Sequence, residues 1–264
     1  MTRRRLDAEL VRRGLARSRE QSRELIETGR VRAPGMLTLK PSTQVDEALS
    51  LHVEEMADSH YVSRGAHKLL GALDANPDLA VAGRDCLDAG ASTGGFTQVL
   101  LERGAARVLA VDVGYGQLAW SVRTDPRVTV MERTNVRDLQ PAVLPFRPTL
   151  IVADLSFISL GTVLPALVAS GTPDAELLLM VKPQFEVGRD LVGAGGVVRD
   201  PGSRLLAMEQ VAGSAHRLGL GVVSCVASPL PGPSGNVEYF LRLQAGAPAG
   251  RTGDFAEAIA RGPQ

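Results

Sequence analysis

The sequence predicts an α/β chain in two parts, a small basic α+β domain followed by a doubly wound, mostly parallel sheet of seven strands. Three observations carry this expectation. From residue 85 onward, apolar strand-like runs alternate with helix-like runs. A glycine-rich turn, Leu87-Asp88-Ala89-Gly90-Ala91-Ser92-Thr93-Gly94-Gly95-Phe96, joins the first of these strands to its helix. Ahead of both, residues 1–40 hold eleven Lys and Arg against five Asp and Glu, in a chain whose net charge is zero.

In chain order, Asp7 to Arg13 is helix-forming and stops at Gly14. Ser18 with Gln21 three residues on has the pattern of a capping box, so a second helix is expected through Leu25 and Ile26 to Gly29. From Val31 the chain reads as extended, with a turn at Pro34-Gly35 and an alternating strand at Leu49-Ser50-Leu51-His52-Val53. The expected division is a first domain at 1–58, a linker at 59–63 and a second domain at 64–264. Ser63 is placed to cap a helix over 64–74 that carries Lys68. Strands are then expected at 85–89, 107–112, 127–131, 149–153, 176–181, 221–227 and 237–243. Helices are expected at 94–103, 116–123, 159–169, 202–218 and 253–260. Such alternation argues for right-handed crossovers in a parallel sheet. The last two strands, joined by a Pro/Gly-rich loop at 229–236, suit an antiparallel pair at one edge.

Composition excludes several classes. An apolar fraction of 44% supports a core rather than wholesale disorder. An aromatic fraction of 4% is too low for a chain of base-stacking platforms. Cys86 and Cys225 lie in apolar runs outside any CxxC, so buried free thiols are expected. His52, His60, His67 and His216 have no ligand spacing, and no metal site is expected. No apolar run approaches the ~20 residues of a membrane span, so no stable membrane insertion is expected. The arginine-rich start has no apolar segment after it, which reads as a cytoplasmic rather than a secreted chain. The basic N-terminal region points to a polyanionic partner, with a solvated helical face as the alternative.

A strand entering a glycine-rich turn and then a helix forms a crevice for a phosphate or nucleoside. The spacing here is neither GxGxxG nor GxxxxGK[ST]. Asp112 ends the next strand roughly twenty residues on, where a carboxylate commonly meets ribose hydroxyls. Asn135 and Val136 follow the third strand, where an adenine would lie. This spacing leaves open an S-adenosylmethionine site, an NAD site or a purely structural turn.

Four ionisable residues stand in unusual contexts: Lys68, Asp154 after the fourth strand, Lys182 after the fifth, and Glu238 in Pro233-Ser234-Gly235-Asn236-Val237-Glu238-Tyr239. The carboxyl ends of the strands line the ligand crevice of an open α/β sheet, and Asp154 and Lys182 fall there. The set suits transfer of a methyl group to a hydroxyl, which is a poor nucleophile and needs activation. Lys182 is then either a general base or a cation stabilising the developing alkoxide. The set holds nothing suited to hydride transfer, which favours S-adenosylmethionine over NAD. Phe157 suits packing beside a cofactor or a flipped nucleotide, or else anchoring the following helix. Tyr115 and Trp120 are expected to pack structurally, although Tyr115-Gly116-Gln117 is close enough to Asp112 to touch a ribose.

These residues carry a family resemblance. Lys68, Asp154, Lys182 and Glu238 resemble the Lys-Asp-Lys-Glu tetrad of FtsJ-like ribose 2′-O-methyltransferases. The strings SRGAHKL, LDAGASTGGFT, DVGYGQLAW, ERTN, ADLSFISL, VKPQFEVG and PGPSGNVEYF are similar to those of the TlyA family of rRNA (cytidine-2′-O)-methyltransferases, whose members are often labelled haemolysins. Leu6 to Lys40 resembles that family's S4 RNA-binding domain. The resemblance implies a Rossmann-like class I methyltransferase fold and S-adenosyl-L-methionine as cofactor. It further implies 2′-O-methylation of cytidine in ribosomal RNA of the small subunit, the large subunit or both. Met1-Thr2-Arg3-Arg4-Arg5-Leu6 is similar to the longer start of dual-specificity members. Cofactor contacts are then expected from Asp88, Gly90, Ala91, Ser92, Thr93, Gly94, Gly95, Phe96, Asp112, Asn135, Val136 and Asp154. RNA contacts are expected from Arg4, Arg5, Arg17, Arg19, Arg23 and Arg30, through a salt-sensitive electrostatic footprint. The target nucleotide would leave its helix to reach the methyl donor. The sequence departs from the family at the linker, where Ser59-His60-Tyr61-Val62 replaces the common Arg-x-Trp-Val. The alternatives are a membrane-lytic protein and a non-catalytic RNA-binding protein.

Overall fold

The computed structural model describes residues 3–16, 18–27, 29–34, 36, 39–53 and 60–262. The chain divides into two compact units, Met1–His60 and Tyr61–Gln264. Arg17 and Ser59 lie outside the described residues.

In the first unit, strand β1 (Arg4–Arg5) leads directly into helix α1 (Leu6–Arg12), and helix α2 (Arg19–Glu27) follows. The N–H of Gln21 donates to Ser18 Oγ at 3.1 Å, the cap expected from the sequence. Strand β2 (Val31–Arg32) pairs antiparallel with β4 (His52–Val53), and β3 (Gln44–Val45) pairs antiparallel with β1. Leu6, Leu10, Leu25, Ile26, Val31, Val45 and Leu51 close a small core. The alternating run at 49–53 shortens to His52–Val53. Its start turns instead on Asp46, whose carboxylate accepts from the N–H groups of Ala48 and Leu49.

The second unit opens with helix α3 (Gly65–Asp74), then β5 (Asp85–Ala89), α4 (Gly95–Glu102), β6 (Arg107–Val111), α5 (Trp120–Arg123) and β7 (Val128–Met131). It continues through β8 (Leu150–Ala153), α6 (Leu160–Ser170), β9 (Glu176–Val181), α7 (Pro183–Glu186) and α8 (Pro201–Arg217). It ends with β10 (Leu220–Ala227), β11 (Tyr239–Ala245) and α9 (Thr252–Arg261). The seven-stranded sheet runs β10-β11-β9-β8-β5-β6-β7, with β11 alone running opposite to the other six strands. The order reverses between β5 and β8, which opens the ligand crevice at their carboxyl ends.

Period-two alternation divides the sheet into two faces. Leu87, Leu109, Ile151, Leu177, Leu179 and Leu241 face one core with α6, α8 and α9. Cys86, Val108, Val152, Leu178, Met180 and Phe240 face the other, with α3, α4 and α5. Both thiols are free, and burial pushes each up to about 12, as suits inert packing groups.

Two expected helix starts move. The helix at 116–123 shrinks to Trp120–Arg123, because Gly116 takes φ +69° and its N–H donates to Glu132 rather than entering a helix. Ser63 does not cap α3: Arg64 stands at that position without a side-chain cap. The place of the Ser63 hydroxyl is against Gly95, where an added Cβ would collide with it.

Candidate active site

The glycine-rich turn folds back on the end of β6. The N–H groups of Gly90 and Ala91 both donate to the carbonyl of Val111, and Thr93 accepts from the N–H of Ala119. Gly90 has φ +86°, and a Cβ there would lie 2.5 Å from the backbone oxygen of Asp154. A side chain is therefore excluded where the turn meets the end of β8. Asp112 accepts from the N–H of Ser92 at 2.8 Å and of Gly114 at 2.6 Å, so its carboxylate is fixed beside the turn. Ala91, Ser92, Asp112, Gly114, Gln117, Leu118 and Glu132 line a shallow depression there.

Asp88 is fully buried and accepts from Thr97 Oγ1 at 2.6 Å, while its Oδ1 has no hydrogen-bond partner. Burial, aided by the nearby negative charges of Asp154 and Asp112, pushes its carboxyl up to about 7 against the Thr97 hydrogen bond. The folded pKa thus exceeds the unfolded one. The associated stability is fully present below pH ~4 and is lost as pH rises through about 7. Asp88→Asn keeps an acceptor for Thr97 and removes the titration. At pH 8 it is expected to stabilise the ligand-free chain by about 1–3 kcal/mol, with the gain gone by pH 4. Urea unfolding at the two pH values measures this, and a gain that does not depend on pH would refute the assignment.

Lys68, Asp154, Lys182 and Glu238 come together as two ion pairs. Lys182 Nζ lies 2.6 Å from Asp154 Oδ1 and donates to Ser156 Oγ at 2.9 Å. Lys68 Nζ donates to Glu238 Oε2 at 2.6 Å, with both side chains almost wholly buried. The topology explains the convergence. Asp154 and Lys182 follow the parallel strands β8 and β9, and Tyr239 of antiparallel β11 pairs with Val181. The start of β11, and so Glu238, therefore lies at the same sheet edge. Helix α3 brings Lys68 there by packing closely on the loop before β11; a Cβ on Gly71 would lie 2.7 Å from Pro229 Cγ.

Burial alone would push the Asp154 carboxyl up. The charges of Lys182 and Lys68, the Lys182 hydrogen bond and the more modest pull of Arg64 outweigh it, and hold Asp154 below the usual carboxylate range. Ser156 and Arg64 are thus neighbours of this cluster that spacing did not single out. Each sits inside a motif already noted, ADLSF and SRGAHKL. Glu238 Oε1 is buried without a hydrogen-bond partner.

Other expected residues take different places. Phe96 is buried and stacks on Phe240, 6.1 Å between centroids, inside the α3–α4 core. Val136 packs in the opposite core, and Asn135 accepts from the N–H of Arg137 as the cap of a short turn. Tyr115 and Trp120, expected to pack, are instead 69% and 76% exposed, with the Arg133 guanidinium over the Tyr115 ring. Phe157 is 84% exposed beside Phe185 and so does not anchor the following helix. Its φ of +65° is costly for an aromatic residue, and such backbone strain concentrates at functional sites.

In the first unit, Arg5, Arg19 and Arg23 surround the buried Asp7, and Arg4, Arg12 and Arg13 surround the buried Glu9. Arg30 is partly buried. Among the described residues, no group of three or more His, Cys, Asp or Glu is arranged to hold a metal ion. No helix of the described residues is long and apolar enough to cross a membrane.

Comparison with known proteins agrees with this architecture. Residues 61–245 match the FtsJ-like methyltransferase family, and residues 4–47 match the S4 domain. The 16S/23S rRNA (cytidine-2′-O)-methyltransferase TlyA of Mycobacterium tuberculosis is 62% identical over 240 residues, covering 91% of this chain and 89% of the relative. The putative rRNA methyltransferase YqxC of Bacillus subtilis is 42% identical, covering 90% of this chain and 85% of the relative. A solved structure of a putative hemolysin from Streptococcus thermophilus superposes with a TM-score of 0.75 at 36% identity, covering 99% of this chain and 96% of that one. With its seven-stranded sheet, its N-terminal S4 domain and these relatives, the chain belongs to the TlyA family of FtsJ-like methyltransferases.

Proposed function

We propose that this chain transfers a methyl group from S-adenosyl-L-methionine to the ribose 2′-hydroxyl of cytidine in ribosomal RNA, on one or both subunits. The observation that carries this reading is the pairing of Lys182 with an ionised Asp154 and of Lys68 with Glu238 at the sheet's carboxyl edge.

The residues around the turn fit the methyl donor. Asp112 offers a fixed carboxylate for ribose hydroxyls, and Leu118 and Val130 supply apolar walls. The buried, unpartnered Asp88 Oδ1 beside the turn leaves an acceptor open. Asp88, Gly90, Ala91, Ser92, Thr93, Gly94, Gly95, Asp112 and Asp154 would hold the donor. Asn135 would approach it only by leaving its cap, and Phe96 and Val136 would act through packing. When bound, S-adenosylmethionine supplies an electrophilic methyl group.

The acceptor hydroxyl must be oriented and its oxygen made more nucleophilic. Lys182 Nζ, held 2.6 Å from Asp154, would offer its N–H donors to the alkoxide developing on the 2′-oxygen. We read Lys182 as an electrostatic stabiliser rather than a base. Glu238 Oε1, like Asp154 Oδ1 apart from its ion pair with Lys182, is buried without a hydrogen-bond partner. A 2′-hydroxyl that reaches Glu238 would donate its hydrogen bond there and give up its proton to that carboxylate as the oxygen–methyl bond forms. Lys68 holds Glu238 in place and adds to the positive field on Asp154.

Phe157, exposed and in the left-handed region next to Asp154, offers a face on which an extruded base can stack. Phe157→Ala is expected to leave stability within about 0.5 kcal/mol. It should lower kcat/KM for RNA by about 10- to 100-fold, the value of one base–aromatic stack. Binding of S-adenosylmethionine should not change. Calorimetric titration of the cofactor with steady-state kinetics checks all three, and full activity toward RNA would remove Phe157 from the site. The function itself is tested by transfer of labelled methyl to purified ribosomal subunits, with nuclease digestion to show label on a 2′-O-methylcytidine. Label on a base or on protein would refute it.

A further inference from the structure

The basic surface of the first unit is organised around a buried negative charge. The Asp7 carboxylate is inaccessible to solvent. Arg5, leaving β1, binds it through two hydrogen bonds of 3.1 and 2.9 Å. Arg19 reaches both of its oxygens from α2 at 3.3 and 3.1 Å, and Arg23, one helical turn later, lies 3.7 Å away. The three arginines remain 42%, 55% and 51% exposed. One buried anion therefore gathers three half-exposed guanidinium groups from two elements, leaving a local excess of positive charge. The neighbouring Glu9 differs. Its partner Arg13 is largely buried and donates to the carbonyls of Leu49, Asp46 and Glu47, and Arg12 also pairs with Glu47.

We propose that Asp7 is a positioning residue for RNA binding, holding Arg5, Arg19 and Arg23 in the arrangement that meets the phosphate backbone. The inference rests on the reading that this unit binds ribosomal RNA. A free arginine side chain loses rotamer freedom on contacting a phosphate. One already held by a carboxylate loses less, and its planar fork is pre-aimed. The arginines in turn hold the Asp7 carboxyl at about 2, so it stays charged throughout the physiological range. Buried beneath them, it acts only through them.

The sign of one substitution decides the matter. Asp7→Asn makes the chain more positive, so bulk electrostatics predicts tighter binding to a polyanion. Positioning predicts weaker binding. Filter binding of the full chain to purified ribosomal subunits, over a range of salt, is expected to show Asp7→Asn weakened about tenfold with a shallower salt dependence. The loss should largely vanish when Arg5, Arg19 and Arg23 are already glutamine, because a residue acting through them has nothing left to position. If Asp7→Asn binds as tightly as the parent or tighter while the triple glutamine variant binds weakly, the positioning role is wrong and RNA binding by this surface stands. A loss of equal size in the triple background would place the effect in the fold of the unit and also overturn the proposal. If neither variant changes binding, the RNA reading of this surface falls with it.

Discussion

Lys182→Ala is expected to lower methyl transfer by about 10³-fold while S-adenosylmethionine still binds. The side chain is nearly buried, pairs with Asp154 at 2.6 Å and hydrogen-bonds Ser156. Its loss would remove the donor proposed to face the developing alkoxide. It also removes the largest of the three positive charges acting on Asp154, so that carboxyl moves up toward its burial-dominated value. Lys68 remains, which keeps Asp154 partly compensated and the fold intact. The expected split is therefore a collapse of kcat with little change in cofactor affinity. Single-turnover kinetics with ribosomal subunits and calorimetric titration of the cofactor measure the two parts. Transfer within about tenfold of the parent would show that Lys182 is a structural partner of Asp154 and nothing more.

Lys68→Ala is expected to be the most destabilising single change at the site. Lys68 and Glu238 are 6% and 1% exposed, so deleting the lysine leaves a carboxylate buried without its counter-charge. Removing one partner of such a pair costs about 3–5 kcal/mol. The double variant Lys68→Met with Glu238→Gln places neutral groups of similar volume in the same space and is expected to recover most of that loss. It should not recover methyl transfer, because the Glu238 carboxylate charge and the Lys68 contribution to the positive field on Asp154 are both gone. Urea unfolding of the two variants, with transfer assays on each, separates the structural role of the pair from its chemical one. A double variant as unstable as the single one would show that the pair is not the source of the instability.

The larger sheet was legible because its strands are short apolar runs punctuated by glycine and proline, and its helices are long enough to show a period. The antiparallel final pair followed from the short Pro/Gly-rich loop at 229–236. The two-residue strands β1 to β4 are too short to carry any alternation, and the single turn α7 has no period to detect. Gly116 was read as part of a helix because nothing local marks its left-handed conformation.

For the site, Asp154 and Lys182 stood out by their places at strand ends, whereas Lys68 and Glu238 stood out only by their sequence contexts, which say nothing of where they meet. Their approach depends on how α3 packs on the loop before β11, a contact between residues far apart in sequence. The exposed aromatics were misjudged for a general reason. Tyr115 and Trp120 are residue types that usually pack, and only the structure shows rings left in solvent. The N-terminal arginines were counted as a loose positive charge. That Asp7 and Glu9 lie beneath them follows from helix α1 turning its acidic residues inward, against the usual rule that carboxylates face water.

The account rests on a cytidine 2′-hydroxyl as the acceptor. The direct measurement is to incubate ribosomal subunits with the protein and S-adenosylmethionine, then map resistance of the ribosomal RNA to alkaline hydrolysis, with the Lys182→Ala variant in parallel. New protection on the 3′ side of a cytidine, present with the parent chain and missing with the variant, is the predicted result. Methyl transfer to RNA without such protection, or protection that the variant produces equally well, would contradict it.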